Sequence, residues 1–260
     1  WTQVRNVCQL REAYGWARQQ KLPVLYLGEG SNLLCSDQGF PGLLIQNRVS
    51  GRKVSENCVE LGSGENMSSV IRWVNSLQLK GMERMYGIPG TIAGALVGNA
   101  GAYGQEIGDL VIDVKIWNND NEKTLRAADL NFRYRWSQFK ESSGSFILSC
   151  RLRLMKSDRK LQRISDEIFL KRSLKYPKNL NCPGSFFKNV LLDLLSEEAL
   201  QKIPGDFIMF GKIPAGKLLE AVGANGAKRG GAQFTSYHGN LVINLGHASS
   251  KEILELTQEY

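Results

Sequence analysis

Three short stretches of the chain set glycine beside small polar residues: "LGEGSNLL" (27–34), "GIPGTIAGALVGNAGAYG" (87–104) and "CPGSFFKN" (182–189). Glycine loses more conformational freedom on folding than any other residue. A concentration of it therefore marks backbone that needs φ > 0 or close approach by another group. Each stretch follows an expected strand or precedes an expected helix. There, backbone N–H groups converge into concavities that take anions, and a missing side chain lets a phosphate come near. Ser31, Asn32, Thr91 and Asn99 add neutral donors. Two such loops in adjacent small units suit one long ligand with a pyrophosphate in its middle, while a plain tight turn accounts for either loop taken singly.

Other spacings fail on inspection. Gly90, Gly94 and Gly98 are spaced like packed membrane helices, but their apolar segment is far too short to span a bilayer. "GEGSNL" matches only the first half of a dinucleotide fingerprint, because Leu33 stands where the third glycine belongs. "GKIPAGKL" (211–218) puts Leu218 in place of the magnesium-binding hydroxyl of a P-loop, so Lys217 reads as a helix-start lysine. There is no GxSxG elbow for a serine hydrolase. Five cysteines (Cys8, Cys35, Cys58, Cys150, Cys182) without CxxC spacing, and two histidines, His238 and His247, give no metal site. The cysteines read as reduced, mostly buried thiols of a cytosolic protein.

The elements that must hold these loops are legible in outline. Residues 7–20 read as a helix with Leu10, Ala13, Trp16 and Ala17 near one face; "LPVLYLG" and "GLLIQN" follow as strands, and a further strand is expected to precede them, missing from the chain. Next, "CVELGSG" reads as a strand. Met67, Val70, Ile71, Val74 and Leu77 keep helical spacing over 66–79. Leu110, Ile112, Val114 and Ile116 alternate as a strand, as do Phe146, Leu148, Cys150, Leu152 and Leu154, with Arg151 and Arg153 outward. Residues 158–175 read as a polar helix. Beyond it come a helix over 215–222, the strand "NLVINLG", and a helix begun by the capping box Ser249–Glu252.

At 260 residues the chain can bury a real core. The net charge of +8 is scattered, with short groups such as Lys171-Arg172 and Lys228-Arg229. This suits a polyanionic small molecule at least as well as nucleic acid, with a solvated basic surface as the plain alternative. No signal peptide and no membrane span is visible. The chain begins without methionine, so a trimmed product or a fragment is expected.

Four motifs in order, "LGEGSNLLCSD", "GIPGTIAGALVGNAGAYG", "FRYRWSQFK" and "CPGSFFKN", give the chain a resemblance to the UDP-N-acetylenolpyruvoylglucosamine reductase family of flavoenzymes. The resemblance covers nearly the whole chain. It implies an α+β protein with a PCMH/VAO-type FAD-binding fold: two α/β subdomains (1–50 and 51–157) and a C-terminal α+β substrate-binding subdomain (158–260). It implies FAD as cofactor, held by Gly28, Gly30, Ser31, Asn32, Ile88, Gly90, Thr91, Gly94, Asn99, Ala100 and Gly101. NADPH as co-substrate and UDP-N-acetylglucosamine enolpyruvate as substrate follow. So do action in peptidoglycan precursor synthesis in a bacterial cytoplasm, and a monomer that neither inserts in membranes nor binds nucleic acid.

The chemistry assigns roles within that resemblance. Reduction of an enolpyruvyl ether needs a hydride at the methylene carbon and a proton at its neighbour, with negative charge developing toward the carboxylate. Arg135 in "YRWS" matches the family's catalytic arginine, whose planar fork suits a carboxylate; a surface or ion-paired arginine is the alternative. Ser185 in "PGSFFKN" matches the proton donor, with a turn or helix-cap serine as the alternative. Lys188 could stabilise the alkoxide left on Ser185, and with Asn189 suits the diphosphate and sugar of the substrate. Tyr103 matches a substrate-side tyrosine, a buried core tyrosine being equally compatible.

The region between 155 and 184 lacks the tyrosine-bearing insertion of one subgroup, so the chain resembles the type II subgroup. The family's third catalytic residue, a glutamate in a C-terminal motif, is expected beyond "KEILELTQEY"; neither Glu255 nor Glu259 is given that role. Two other readings stand beside the reductase: a sugar or alcohol oxidase of the same architecture, and a flavin- or UDP-sugar-binding fragment that lacks catalysis.

Overall fold

The computed structural model describes residues 1–118, 120–141, 144–177 and 180–260. They form two units, one made of Trp1–Ser31 and Phe40–Arg172, the other of Asn32–Gly39 and Ser173–Tyr260.

In the first unit, Asn6 caps the helix Val7–Gln19 by accepting from the Gln9 N–H at 2.9 Å. Leu10 and Ala17 are buried, but Trp16, expected beside them, is exposed. At 3.6 residues per turn it lies about 120° around the helix from Leu10, off the packed stripe. The strand expected to be missing is present: Thr2–Val4 pairs in parallel with Leu43–Asn47, which pairs in parallel with Val24–Leu27. Three residues are too few to show a period, which is why the pattern did not reveal it.

A five-stranded antiparallel sheet follows, in the order Asn121–Arg126, Val111–Asn118, Phe146–Arg153, Cys58–Gly62, Arg52–Ser55. The simple alternation expected along 146–154 is broken by a register shift between Ile147 and Ser149. An extra residue there turns the next side chains to the opposite face. Phe146 and Leu148 accordingly join Trp117, Val4, Leu10 and Ile45 in one core cluster. Ile147, Cys150 and Leu152 join Val59, Leu61, Val114 and Ile116 in the other.

The helix Met67–Ser76 lies against that second cluster through Met67, Val70, Ile71 and Val74, all fully buried, each stabilising by about 1.5–3 kcal/mol. It is shorter than the expected 66–79 because Asn66 is its cap, accepting from Ser69 N–H at 3.0 Å, and Gln78 turns left-handed at φ 58°. The polar helix Leu161–Lys175 closes this part of the chain. Its Ser165 hydroxyl donates to the Glu83 carbonyl at 2.9 Å and accepts from Asn75 Nδ2 at the same distance.

In the second unit, Lys228–Arg229, Ala232–Thr235 and His238–Asn244 form an antiparallel sheet. The helices Ala215–Ala221 and Ser250–Glu259 share with it a core of Leu219, Phe234, Val242 and Leu256, with Phe186 and Phe187 packed alongside. The capping box holds: Ser249 Oγ accepts from the Glu252 N–H at 3.1 Å, and Glu252 Oε2 accepts from the Ser249 N–H at 2.8 Å. The early segment Asn32–Gly39 belongs here. The Asp37 carboxylate accepts from Ser250 N–H at 2.8 Å and from its hydroxyl at 2.7 Å.

All five thiols are free, but they are not mostly buried as expected: Cys8 and Cys35 are exposed, Cys58 and Cys182 half-buried, and Cys150 alone is fully enclosed. Burial raises the Cys150 thiol well above its ordinary pKa. Among the described residues no helix is long and apolar enough to cross a membrane, and no cluster of His, Cys, Asp and Glu could hold a metal ion.

Candidate active site

The two glycine-rich loops of the first unit touch each other. A Cβ on Gly28 would lie 2.5 Å from Thr91 Oγ1, and one on Gly90 would lie 3.1 Å from Ser31 Oγ. Glu29 fastens the contact: Oε2 accepts from the Gly90 N–H at 3.1 Å and Oε1 from Asn66 Nδ2 at 3.0 Å, with Arg48 Nη1 at 3.8 Å. Gly28 is thus required by the chain's own packing. Gly101 is too, since a Cβ there would meet Gln105 O at 2.5 Å. Close approach to a ligand, the expected reason for all of this glycine, remains available at Gly30 and Gly98, which face open space. Among the described residues, the N–H groups of Gly30 and Ser31 have no acceptor. A carboxylate between two glycines was the signal for Glu29's part, since it would repel the anion such a loop otherwise invites.

From Thr91 the helix Ile92–Gly98 runs for about 10 Å. Thr91 caps it, Oγ1 accepting from the Gly94 N–H at 3.3 Å. Ile88 and Ala100 pack on the core at either side. Asn99 ends the helix in the left-handed region at φ 44° and is only 2% exposed. Its side chain is fully used internally: Nδ2 donates to Glu106 Oε2 at 2.8 Å and to Arg133 O at 3.0 Å, and Oδ1 accepts from the Gly108 N–H at 2.9 Å. The donor expected for a ligand is thus spent on holding the loop.

Arg135 meets that loop end. Nη2 donates to the Gly101 carbonyl at 2.6 Å and Nη1 to the Asn99 carbonyl at 3.4 Å, with Glu106 Oε1 at 3.9 Å. The side chain remains 38% exposed. Its backbone sits at φ 53°, a conformation that costs a non-glycine residue about 1–2 kcal/mol and tends to persist where function holds it. Lys140 Nζ donates to the Arg135 carbonyl at 2.8 Å. Tyr103, also left-handed at φ 51°, is 47% exposed, which removes the buried-core alternative.

In the second unit, residues 184–187 run beside the strand His238–Asn244. Asn240, 2% exposed, clasps them: its Oδ1 accepts from the Phe187 N–H at 2.8 Å, Nδ2 donates to the Phe187 carbonyl at 2.9 Å, and its carbonyl accepts from the Phe186 N–H at 3.1 Å. This grip leaves Ser185 exposed after Gly184, which turns at φ 101°. Ser185 itself lies extended, bridged in antiparallel fashion to Leu241, so it is neither a turn nor a helix-cap residue, and its hydroxyl is 3.3 Å from the Tyr176 hydroxyl. Lys188 is exposed, and Asn189 Oδ1 accepts from the Ala215 N–H at 3.2 Å, holding the start of the next helix. At the start of that strand, burial and Lys175 push the His238 imidazole below its ordinary pKa. Asn32 falls in this unit while Ser31 belongs to the first. The predicted residues thus group as Gly28, Gly30 and Ser31 with Gly90, Thr91 and Gly94; Asn99, Ala100 and Gly101 with Arg135; and, in the other unit, Ser185, Lys188 and Asn189.

Comparison with known proteins gives this arrangement its class. Residues 2–127 match the FAD binding domain family, and residues 176–260 match the C-terminal domain of UDP-N-acetylenolpyruvoylglucosamine reductase. The fold is an α+β FAD-binding fold, and the protein is a flavoprotein oxidoreductase. The open face at Gly30 and Gly98 and the free N–H groups of residues 30–31 fit the pyrophosphate of such a cofactor.

The chain is 34% identical to a Solibacter usitatus UDP-N-acetylenolpyruvoylglucosamine reductase over 94% of its length and 78% of the relative's. It is 32% identical to the Chlamydia felis enzyme of that name over 98% and 80%. The Thermus caldophilus UDP-N-acetylenolpyruvylglucosamine reductase superposes with a TM-score of 0.76 at 26% identity, covering 99% of this chain and 85% of that one. The chain belongs to the UDP-N-acetylenolpyruvoylglucosamine reductase family.

Proposed function

We propose that the protein reduces UDP-N-acetylglucosamine enolpyruvate to UDP-N-acetylmuramate with NADPH, as a step of peptidoglycan precursor synthesis. The observation that supports a reductive site most directly is Arg135, whose guanidinium is braced by the Asn99 and Gly101 carbonyls yet remains part-exposed. The match of residues 176–260 to the reductase's own C-terminal domain favours this reading over a sugar or alcohol oxidase.

FAD, when bound, supplies the hydride chemistry. Residues 28–32 and 88–101 hold it, the open glycines and free N–H groups toward its phosphates. Arg135 binds the enolpyruvyl carboxylate and stabilises the enolate charge that develops on it. The electrostatic work is differential: the charge on that carboxylate grows toward the transition state, so a pre-braced cation contributes most there. Ser185 gives its hydroxyl proton to the carbon beside the carboxylate. Lys188, Asn189 and Tyr103 hold the diphosphate and sugar. The working assembly is a monomer of three subdomains (1–50, 51–157, 158–260) in the bacterial cytoplasm.

Separating the half-reactions tests these roles. Anaerobic flavin reduction by NADPH is followed first, then reoxidation by the enolpyruvate. Arg135→Ala and Ser185→Ala are expected to leave the first near wild type and slow the second by about 10²-fold or more. Equal losses in both halves would refute the assignments.

A further inference from the structure

Ser185 is a weak acid for the role given above, and the lysine that follows it, Lys188, is exposed to solvent. The second unit offers a different source of help. Tyr176 follows directly on the helix Leu161–Lys175, and its phenolic oxygen lies 3.3 Å from Ser185 Oγ. The ammonium of Lys175 lies 5.3 Å from the centre of the Tyr176 ring. A second tyrosine in the same unit, Tyr237, turns its hydroxyl elsewhere, donating to the Lys175 carbonyl at 3.4 Å.

The geometry points to Tyr176 as the positioning residue through which Ser185 acts as an acid; this rests on the reading of Ser185 as the proton donor. When the Ser185 O–H bond breaks and its proton forms the new C–H bond on the substrate, the electron pair stays on Oγ. The Tyr176 hydroxyl donates a charge-assisted hydrogen bond to that oxygen. The Tyr176 O–H bond then breaks to restore the serine hydroxyl, and the phenolate takes a proton from water. A phenol is a far stronger acid than an aliphatic alcohol, so the second transfer runs downhill. Lys175 offsets the negative charge while it rests on the pair. The arrangement explains how an alcohol can serve where a group of near-neutral pKa is the usual choice.

Two measurements test it. Tyr176→Phe keeps the ring and its packing, and is expected to leave flavin reduction by NADPH unchanged. It should slow reoxidation by the enolpyruvate roughly 10- to 100-fold, the range of one charge-assisted hydrogen bond. Tyr237→Phe should change neither half. In a Ser185→Ala background, Tyr176→Phe should add nothing, because its partner is gone.

The second readout needs no cofactor and no turnover. The thiol introduced by Ser185→Cys is alkylated across a pH series, with the modified residue assigned by fragment-ion mass spectrometry so that Cys8, Cys35 and the nearby Cys182 do not interfere. Its midpoint should rise by about one pH unit when Tyr176→Phe is added. Coincident midpoints, or an unslowed second half-reaction in Tyr176→Phe, would overturn the proposal while the Ser185 assignment stands on its own variant. Rapid reoxidation in Ser185→Ala would overturn that assignment and this inference with it.

Discussion

Gly28 offers a sharp test of why the cofactor loop carries glycine. Replacing it by alanine puts a methyl 2.5 Å from Thr91 Oγ1, about 1 Å inside ordinary contact. Thr91 is buried and its hydroxyl accepts from the Gly94 N–H, so it has two ways to yield. Rotating away loses the helix cap and strands a buried hydroxyl, together about 2–3 kcal/mol. Moving the loops apart instead breaks the hydrogen bond from Gly90 N–H to Glu29, also about 1.5–3 kcal/mol. Gly28→Ala should therefore destabilise the chain by about 2–3 kcal/mol in urea titration, at constant slope. Thr91→Ala alone should cost about 1–2 kcal/mol for the cap. In the double variant the clash is gone, because the remaining Thr91 Cβ lies 3.5 Å from the new methyl. Its cost should equal that of Thr91→Ala, a coupling of about 2–3 kcal/mol, the whole cost of Gly28→Ala. FAD affinity, read from quenching of flavin fluorescence, should recover in parallel. Additive stabilities, or FAD binding that stays lost in the double variant, would refute the reasoning and return Gly28 to direct contact with the cofactor.

Two further expectations rest on single residues. Hydrogen bonds from Ser249 hold the Glu252 carboxylate below its ordinary pKa of 4.5, so its contribution is present above that value and is lost as pH falls through the lower folded value. Thermal melts taken between about pH 5 and pH 3 should show a steeper loss for the wild type than for Glu252→Gln, and parallel curves would count against the capping box as the cause. Phe210 is 96% exposed at φ 53°, so it carries left-handed strain with little packing in return. Phe210→Gly should raise stability by about 0.5–1 kcal/mol in the same urea assay, and a loss would mean the ring makes a contact worth more than the strain.

What the sequence revealed follows the strength of its periodic signals. Met67, Val70, Ile71 and Val74 face one core cluster without interruption, and their spacing is enough to draw the helix. The strand Asn121–Arg126 escaped because an exposed sheet edge carries polar residues by design against aggregation, and so shows no apolar alternation. The bulge at Ile147–Ser149 escaped because it depends on the partner strand's register, which composition does not encode. At the candidate site, residue type pointed to loops that the fold brings together. It did not tell which glycines serve the ligand and which serve the fold, since a glycine beside Thr91 and a glycine beside open space read alike. Asn240 and Tyr176 lie outside any glycine stretch, and only tertiary contact brings them to "GSFF".

The segment Asn32–Gly39 has a consequence in time. It belongs to the unit completed by Ser173–Tyr260, and its Asp37 grips Ser250, 213 positions later in the chain. At about 5–20 residues per second, roughly 10–40 s of synthesis separate the two partners. During that interval the eight-residue piece has emerged with no mate, flanked on both sides by chain that can already fold. Its exposed Cys35 is open to oxidation or capture over that window. A growing chain of this kind gains from anything that slows collapse around residues 32–39 until Ser250 has been made.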